Sequence, residues 1–162
     1  MATPPGRTEV RSYDETTDRA WLEHRLANGY GAGHLQARRG ELIDVLAGDG
    51  LIAERDGSPA GVALWRFDDD GSTELTFLWA FDGGMGVGTA LLRALVERAT
   101  RPIWVVTTND NVDALRFYQR LGFRLRALRP GAVDEARRRL KPSIPVERDG
   151  IAIRDEIELI LQ

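Results

Sequence analysis

Residues 80–92 read AFDGGMGVGTALL, and four of the six residues from Gly83 to Gly88 are glycine. A helical pattern begins at once, because TALLRALVERA (89–99) places Leu91, Leu92, Leu95, Val96 and Ala99 on one apolar stripe. TELTFLWAF (73–81), just before the loop, reads as a strand rich in aromatic residues. A strand, a glycine-rich turn and a helix N-terminus together form an anion site. Glycine lets backbone N–H groups converge, the first-turn donors lack intrahelical partners, and the macrodipole favours negative charge. The opening turn Thr89-Ala90-Leu91-Leu92 carries no acidic side chain to occupy that site. The Walker phosphate loop is excluded, since Gly88 is followed by Thr89 and Ala90 and not by Lys-Ser/Thr. The dinucleotide fingerprint is excluded too, because the position three after Gly86 is Thr89 and the loop follows antiparallel strands. A loop that merely needs unusual backbone angles is the alternative that this stretch alone leaves open.

Outward from the loop, GLIAERDGSPAGVALWRF (50–67) reads as a hairpin turning at Asp56-Gly57, and DDDGS (68–72) turns the chain into strand 73–81. RPIWVVTT (101–108) is a short β-branched run, the mark of a strand buried on both faces. NVDALRFYQRLG (111–122) is a helix ending at Gly122, and FRLRALRP (123–130) alternates as a strand. Further upstream, TEVRSYD (8–14) reads as a first strand. TTDRAWLEHRLAN (16–28) reads as a helix with Thr16 or Thr17 as N-cap, broken by GYGAG (29–33). The stretch 34–48 fits either a strand and turn or a helix. Downstream, GAVDEARRRLKP is a short helix, SIPVERDG (143–150) a loop, and IAIRDEIELIL (151–161) a closing strand. The expectation is one mixed α/β (α+β) domain over 1–162, with residues 1–7 a disordered tail and 131–150 an insertion between the last two strands.

Composition narrows the function. The chain is 43% hydrophobic and 29% charged with net charge −3, which argues against a nucleic-acid or anionic-membrane partner. Arg137-Arg138-Arg139 reads as a solvated helix face. There is no cysteine, so disulfides, thiolate nucleophiles and thiol-metal sites are absent together, and His24 and His34 alone supply a histidine metal site poorly. No apolar run approaches the roughly 20 residues that span a bilayer, and the N-terminus lacks a signal-peptide pattern. The expected location is the cytoplasm.

Gly86-Val87-Gly88 followed by TALL, then a strand ending in polar residues, then NVDALRFYQRLGF (111–123), resembles the GNAT superfamily of acyl-CoA-dependent N-acyltransferases. The pattern Asn-x-x-Ala-x-x-Phe-Tyr-x-x-x-Gly-Phe is matched by Asn111, Ala114, Phe117, Tyr118, Gly122 and Phe123. The resemblance extends over about residues 50–130. It implies a mostly antiparallel sheet with helices on both faces, in which the parallel strands 73–81 and 102–108 splay into a V. It also implies acetyl-CoA as acyl donor, without a metal, and a primary amine of a small molecule or protein as acceptor. Gly83, Gly84, Met85, Gly86, Val87, Gly88 and Thr89 would take the pyrophosphate. Leu78, Trp79 and Ala80 would pair with the pantetheine arm, and Asn111, Ala114, Phe117 and Tyr118 would complete the coenzyme site. One departure stands out: the family usually has Gln or Arg three residues before the first motif glycine, where this chain has Gly83.

Acylation of an amine needs a base to free the nucleophile and an acid for the departing thiolate. The resemblance assigns the acid to Tyr118 and suggests Glu74, upstream of the pantetheine-pairing residues, as base; Glu41 and Glu54 are weaker candidates. Regular alternation puts Glu74, Thr76 and Leu78 on one face of their strand and Leu75, Phe77 and Trp79 on the other. Asn111 would orient the coenzyme, cap the following helix, or both, and Asn109 and Asp110 would lie beside the acceptor. The insertion 131–150 would be a lid, a homodimer contact or a platform for an acidic acceptor. A non-catalytic acyl-CoA-binding module is the competing reading, and a nucleotide-phosphate-binding protein a third.

Overall fold

The computed structural model describes residues 6–30 and 32–162, with the backbone alone at Tyr30. The expected tail therefore lies mostly outside the described residues. The chain runs β1 (Thr8–Ser12), α1 (Glu15–Arg25), a π-helical turn (Leu26–Tyr30), β2 (Leu35–Arg38), β3 (Glu41–Asp44) and a 3-10 turn (Val45–Ala47). It continues through β4 (Asp49–Arg55), β5 (Ser58–Phe67), β6 (Thr73–Ala80), α2 (Val87–Arg98), β7 (Ile103–Thr108) and α3 (Val112–Arg120). The last elements are β8 (Arg124–Arg129), α4 (Ala132–Arg139), β9 (Glu147–Arg148), β10 (Ile151–Ala152) and β11 (Glu156–Leu161).

Seven strands form one sheet in the order β1-β4-β5-β6-β7-β11-β8, antiparallel except between β6 and β7. That parallel pair holds for Thr73–Ile103, Glu74–Trp104 and Leu75–Val105, and then the two strands part. Each remains tied on its outer side, β6 to β5 as far as Ala80 and β7 to β11 as far as Thr108. The expected V-shaped splay therefore opens beyond Leu75 and Val105, with an unpaired backbone edge on either side.

Helices cover both faces. On one, α2 and α3 pack Leu91, Leu92, Leu95 and Tyr118 against Leu51, Ala63, Leu75, Val105 and Leu159. On the other, Leu22 and Leu26 meet Ile52, Val62, Leu64 and Phe77. Gly61 in β5 permits the close approach of α2, because a Cβ there would lie 2.7 Å from Val87 Cγ1 and 2.8 Å from the Trp79 carbonyl oxygen. β6 carries a bulge: Leu64 pairs with Phe77 and Trp65 with Leu75, leaving Thr76 over. The extra residue flips the side-chain parity. Leu75 and Leu78 consequently reach the α2 side together, while Phe77 and Trp79 reach the α1 side. The regular alternation expected for this strand is thus corrected, and Glu74 faces the α1 side.

Other expectations are also revised. The N-cap of α1 is Asp14, whose carboxylate accepts from the N–H groups of Thr16 and Thr17, and neither threonine takes that role. The helix continues as a π-turn to Tyr30, and the rest of the glycine stretch includes residue 31, which is not described. The ambiguous 34–48 region is a β2–β3 hairpin with a 3-10 turn. The closing strand is interrupted: Ile151–Ala152 pairs with Glu147–Arg148, and only Glu156–Leu161 enters the main sheet. Asn109 holds the break, donating to the Ala152 carbonyl and accepting from the N–H groups of Arg154 and Asp155. It is committed to backbone and not free for an acceptor.

Arg11 in β1 forks onto the buried Asp18 of α1 at 2.7 and 2.9 Å. The guanidinium bonds, against desolvation, hold the Asp18 carboxyl down at about 2, from an ordinary 3.8. A depressed folded-state value means that this stabilisation is complete above about pH 4 and is lost as the pH falls through 2. Thermal midpoints of the parent and of Asp18→Asn are expected to differ most near neutrality and to converge between pH 4 and 2. A constant gap across that window would show that the pair contributes through packing alone.

Candidate active site

The loop after β6 leads into a helix N-terminus without a side-chain cap. Helix α2 starts at Val87, two residues before the helical run expected from Thr89, with Gly86 as N-cap at φ +74°. Intrahelical bonding begins with the Ala90 N–H to the Gly86 carbonyl, so the donors of Val87, Gly88 and Thr89 have no acceptor within the helix. No acidic residue lies in the first turn. In front of Gly83, Gly84 and Gly86 there is open space, and Arg55 steadies the loop by donating to the Met85 carbonyl. A polyanion such as a pyrophosphate fits these donors. Gly88 serves a second purpose, since a Cβ there would touch the Phe117 ring at 3.4 Å.

Helix α3 presents Asn111, Ala114 and Tyr118, spaced i, i+3, i+7, to a cavity of about 420 Å³ that occupies the splay. Asn111 is the N-cap, its Oδ1 accepting from the Ala114 N–H at 3.2 Å. Tyr118 is buried, its ring set between Phe117 and Phe123, with centroids 5.3 Å away on each side. Leu78 lines the cavity from β6. Trp79 packs edge-on against Phe81 at 4.7 Å, with Arg25 over both rings, so its side chain belongs to the α1 layer and only its backbone faces the splay edge.

The far side of the cavity is a wall of charge. Glu74 lines it but is 1% exposed, and both oxygens are taken: Oε1 accepts from Arg38 Nε at 2.5 Å, and Oε2 accepts from Arg38 Nη2 and from Arg66 Nε. Glu74 is therefore a buried, ion-paired carboxylate and no solvated strand glutamate. Glu41 bridges Arg38 and Arg66 at the exposed rim, and Glu54 pairs with Arg11 near the β1 edge of the sheet. Glu156 also lines the cavity, 2% exposed, accepting from the Arg39 N–H. Burial pushes its carboxyl up, with that N–H bond and Arg129 drawing it back.

The insertion closes the cavity. Val133, Ala136, Ile144 and Ile153 face it. Lys141 donates to the Ala32 and Leu35 carbonyls at 2.5 and 2.6 Å, fastening the insertion to the chain before β2. Arg148 pairs with the buried Asp110 at 3.3 Å, fastening it to the start of α3. Arg137 does not belong to a solvated face, because it binds the Ile144 and Pro145 carbonyls and Asp134 within the insertion and the Ile153 carbonyl just after it. Sequence reasoning missed Arg38, Lys141, Arg148 and Glu156 as cavity residues. Glu156 did leave a signal, two glutamates alternating through the apolar run EIELIL.

A split sheet, an uncapped helix N-terminus beside it and a tyrosine at the fork define a cofactor-dependent acyl-transfer scaffold. A model of the acetyltransferase (GNAT) family matches residues 13–123, and the chain belongs to that family. It is 40% identical over 122 residues to YxbD of Bacillus subtilis (strain 168), covering 72% of this chain and 75% of that protein. It is 52% identical over 77 residues to YdhI of the same organism, a match spanning 44% of this chain and about half (48%) of that protein. A GNAT family acetyltransferase from Elizabethkingia anophelis, solved with acetyl-CoA bound, superposes with a TM-score of 0.71 at 16% identity, over 96% of this chain and 97% of that one. At that identity the likeness shows the fold. No helix among the described residues is long and apolar enough to cross a membrane.

Proposed function

We propose that the protein is an acetyl-CoA-dependent N-acetyltransferase acting on a primary amine. The observation that carries this reading is a single cavity joining the Tyr118 face of α3 to a charged wall, through a split sheet whose fork adjoins the α2 N-terminus. Acetyl-CoA supplies the acyl group as a thioester. The N–H groups of Val87, Gly88 and Thr89, with the Gly83–Gly86 backbone, would hold the pyrophosphate. The edge of Leu78, Trp79 and Ala80 would pair with the pantetheine arm, and Asn111, Ala114 and Phe117 would flank it. Tyr118 would deliver a proton to the departing thiolate. Proton removal from the acceptor falls to the carboxylates of the cavity wall, among them Glu74. With Gly83 at the usual Gln or Arg position, phosphate binding rests on backbone donors. The test is release of free thiol from acetyl-CoA across a panel of amines; acetyl-CoA binding without release would favour a sensor module.

Gly86→Val is expected to weaken acetyl-CoA binding at least tenfold, about 1.4 kcal/mol. A β-branched residue resists the φ of +74° that turns the backbone into α2. Calorimetry on a normally folded variant measures this, and parental affinity would make the loop structural only.

A further inference from the structure

We propose that Glu156 is the acceptor's anchor and proton acceptor, receiving the ammonium of a compact amine whose apolar body packs under the insertion. The inference rests on the acyl-transfer reading and deepens it. Of the two buried carboxylates that line the cavity, Glu74 already accepts three guanidinium bonds. Among the described residues, the Glu156 side chain accepts only the Arg39 backbone N–H, at 3.0 and 3.2 Å, and its nearest side-chain cation is Arg129 at 3.9 Å. A carboxylate with little internal compensation suits an incoming cation. Burial pushes its carboxyl up, so it accepts a proton more readily than an ordinary glutamate.

Position supports the assignment. Glu156 pairs with Thr108 at the end of β7, where β7 has already left β6. The same cavity is lined by Val133, Ala136 and Ile144 of the insertion and by Ile153 after it, apolar surface beside the carboxylate. The charged groups around Glu156 are Arg38 and Arg39 from β2 and its turn, Glu74 from β6, Arg129 from β8, Glu158 on its own strand, and Lys141 and Arg148 from the insertion. Lys141 is spent on two carbonyls, Arg148 on Asp110 and Arg38 on Glu74, while Glu158 is held by Arg126 and Arg129. The latches at Lys141 and Arg148 enclose the space, which suits a small molecule better than a folded protein surface. In the reaction the ammonium passes one proton to Glu156. The N–C bond then forms as the C–S bond breaks, Tyr118 protonates the thiolate, and the second nitrogen proton returns to the tyrosinate. Glu156 releases its proton to solvent.

The probes are 2-phenylethylamine, hexylamine, 2-phenylethanol and a lysine-bearing tetrapeptide. Calorimetry on the CoA-loaded protein should detect both amines, with 2-phenylethanol and the peptide at least tenfold weaker. Glu156→Gln should raise KM for 2-phenylethylamine and lower kcat/KM at least tenfold, with the acidic limb of the pH profile lost and acetyl-CoA affinity kept. Its thermal midpoint at pH 8 should be retained, because a raised carboxyl value means that ionisation of Glu156 opposes folding. Glu156→Asp keeps the charge one methylene further back, and should keep the limb with intermediate kcat/KM. Parental KM and profile in Glu156→Gln, or tighter binding of the peptide than of either amine, overturns the proposal while acyl transfer stands. Amine binding lost in Glu156→Gln, in a parent that releases no thiol, supports the anchor and overturns the acyl-transfer reading.

Discussion

Tyr118→Phe is expected to lower turnover more than tenfold while leaving acetyl-CoA affinity within a factor of about two. General acid–base catalysis typically contributes about 10²–10⁴-fold, and the substitution removes the hydroxyl that would supply it. The ring is buried between Phe117 and Phe123, so phenylalanine fills the same space and keeps the aromatic contacts. The backbone of α3 is fixed independently by the Asn111 cap, which keeps Ala114 and the cavity face in place. Steady-state kinetics with the best amine of the panel, paired with acetyl-CoA calorimetry, separates the roles. Weaker binding at unchanged turnover would make the hydroxyl a positioning group for the coenzyme. Parental values of both would reduce Tyr118 to a packing residue.

The half of the site proposed for the coenzyme was legible in outline because its geometry is local. Gly86, the α2 N-terminus and the run Asn111–Tyr118 each belong to a contiguous segment whose spacing sets its own geometry. The fork was legible for a related reason, since the antiparallel strands before the loop and the β-branched run after it frame α2. The charged wall proposed for the acceptor was not, because its residues come from distant segments. Arg38 meets Glu74 across 36 positions, and the Arg39 N–H meets Glu156 across 117. Neither pairing has a periodic signature. The bulge at Thr76 was hidden as well, since a one-residue slip leaves composition and hydrophobicity unchanged while reversing which face Glu74 occupies. The break at 153–155 in the last strand depends on the Asn109 side chain, more than forty residues upstream.

Glu74→Gln separates the two carboxylates of the wall and is expected to have the largest effect on stability. Arg38 has a side-chain exposure of only 8%, and the variant would leave its guanidinium facing a neutral amide, with Glu41 at the rim as its remaining anionic partner. Removing one member of a buried ion pair typically costs about 3–5 kcal/mol, because the surviving charge stays desolvated. Chemical denaturation should therefore show a lower midpoint with little change in slope. Turnover should fall too, since Arg38 and β2 form part of the cavity wall. The shape of the pH profile should survive, however, because a misplaced wall slows every protonation state alike, whereas loss of a base removes one limb. Glu156→Gln is expected to do the reverse, keeping stability and losing the acidic limb. The amine's own ionisation produces a rising limb as well, so both variants must be compared with the parent on the same acceptor. If Glu74→Gln instead keeps its stability and loses the acidic limb, Glu74 is the base that the family resemblance suggests. Arg38 and Arg66 would then restrain its position without preventing it from taking the proton.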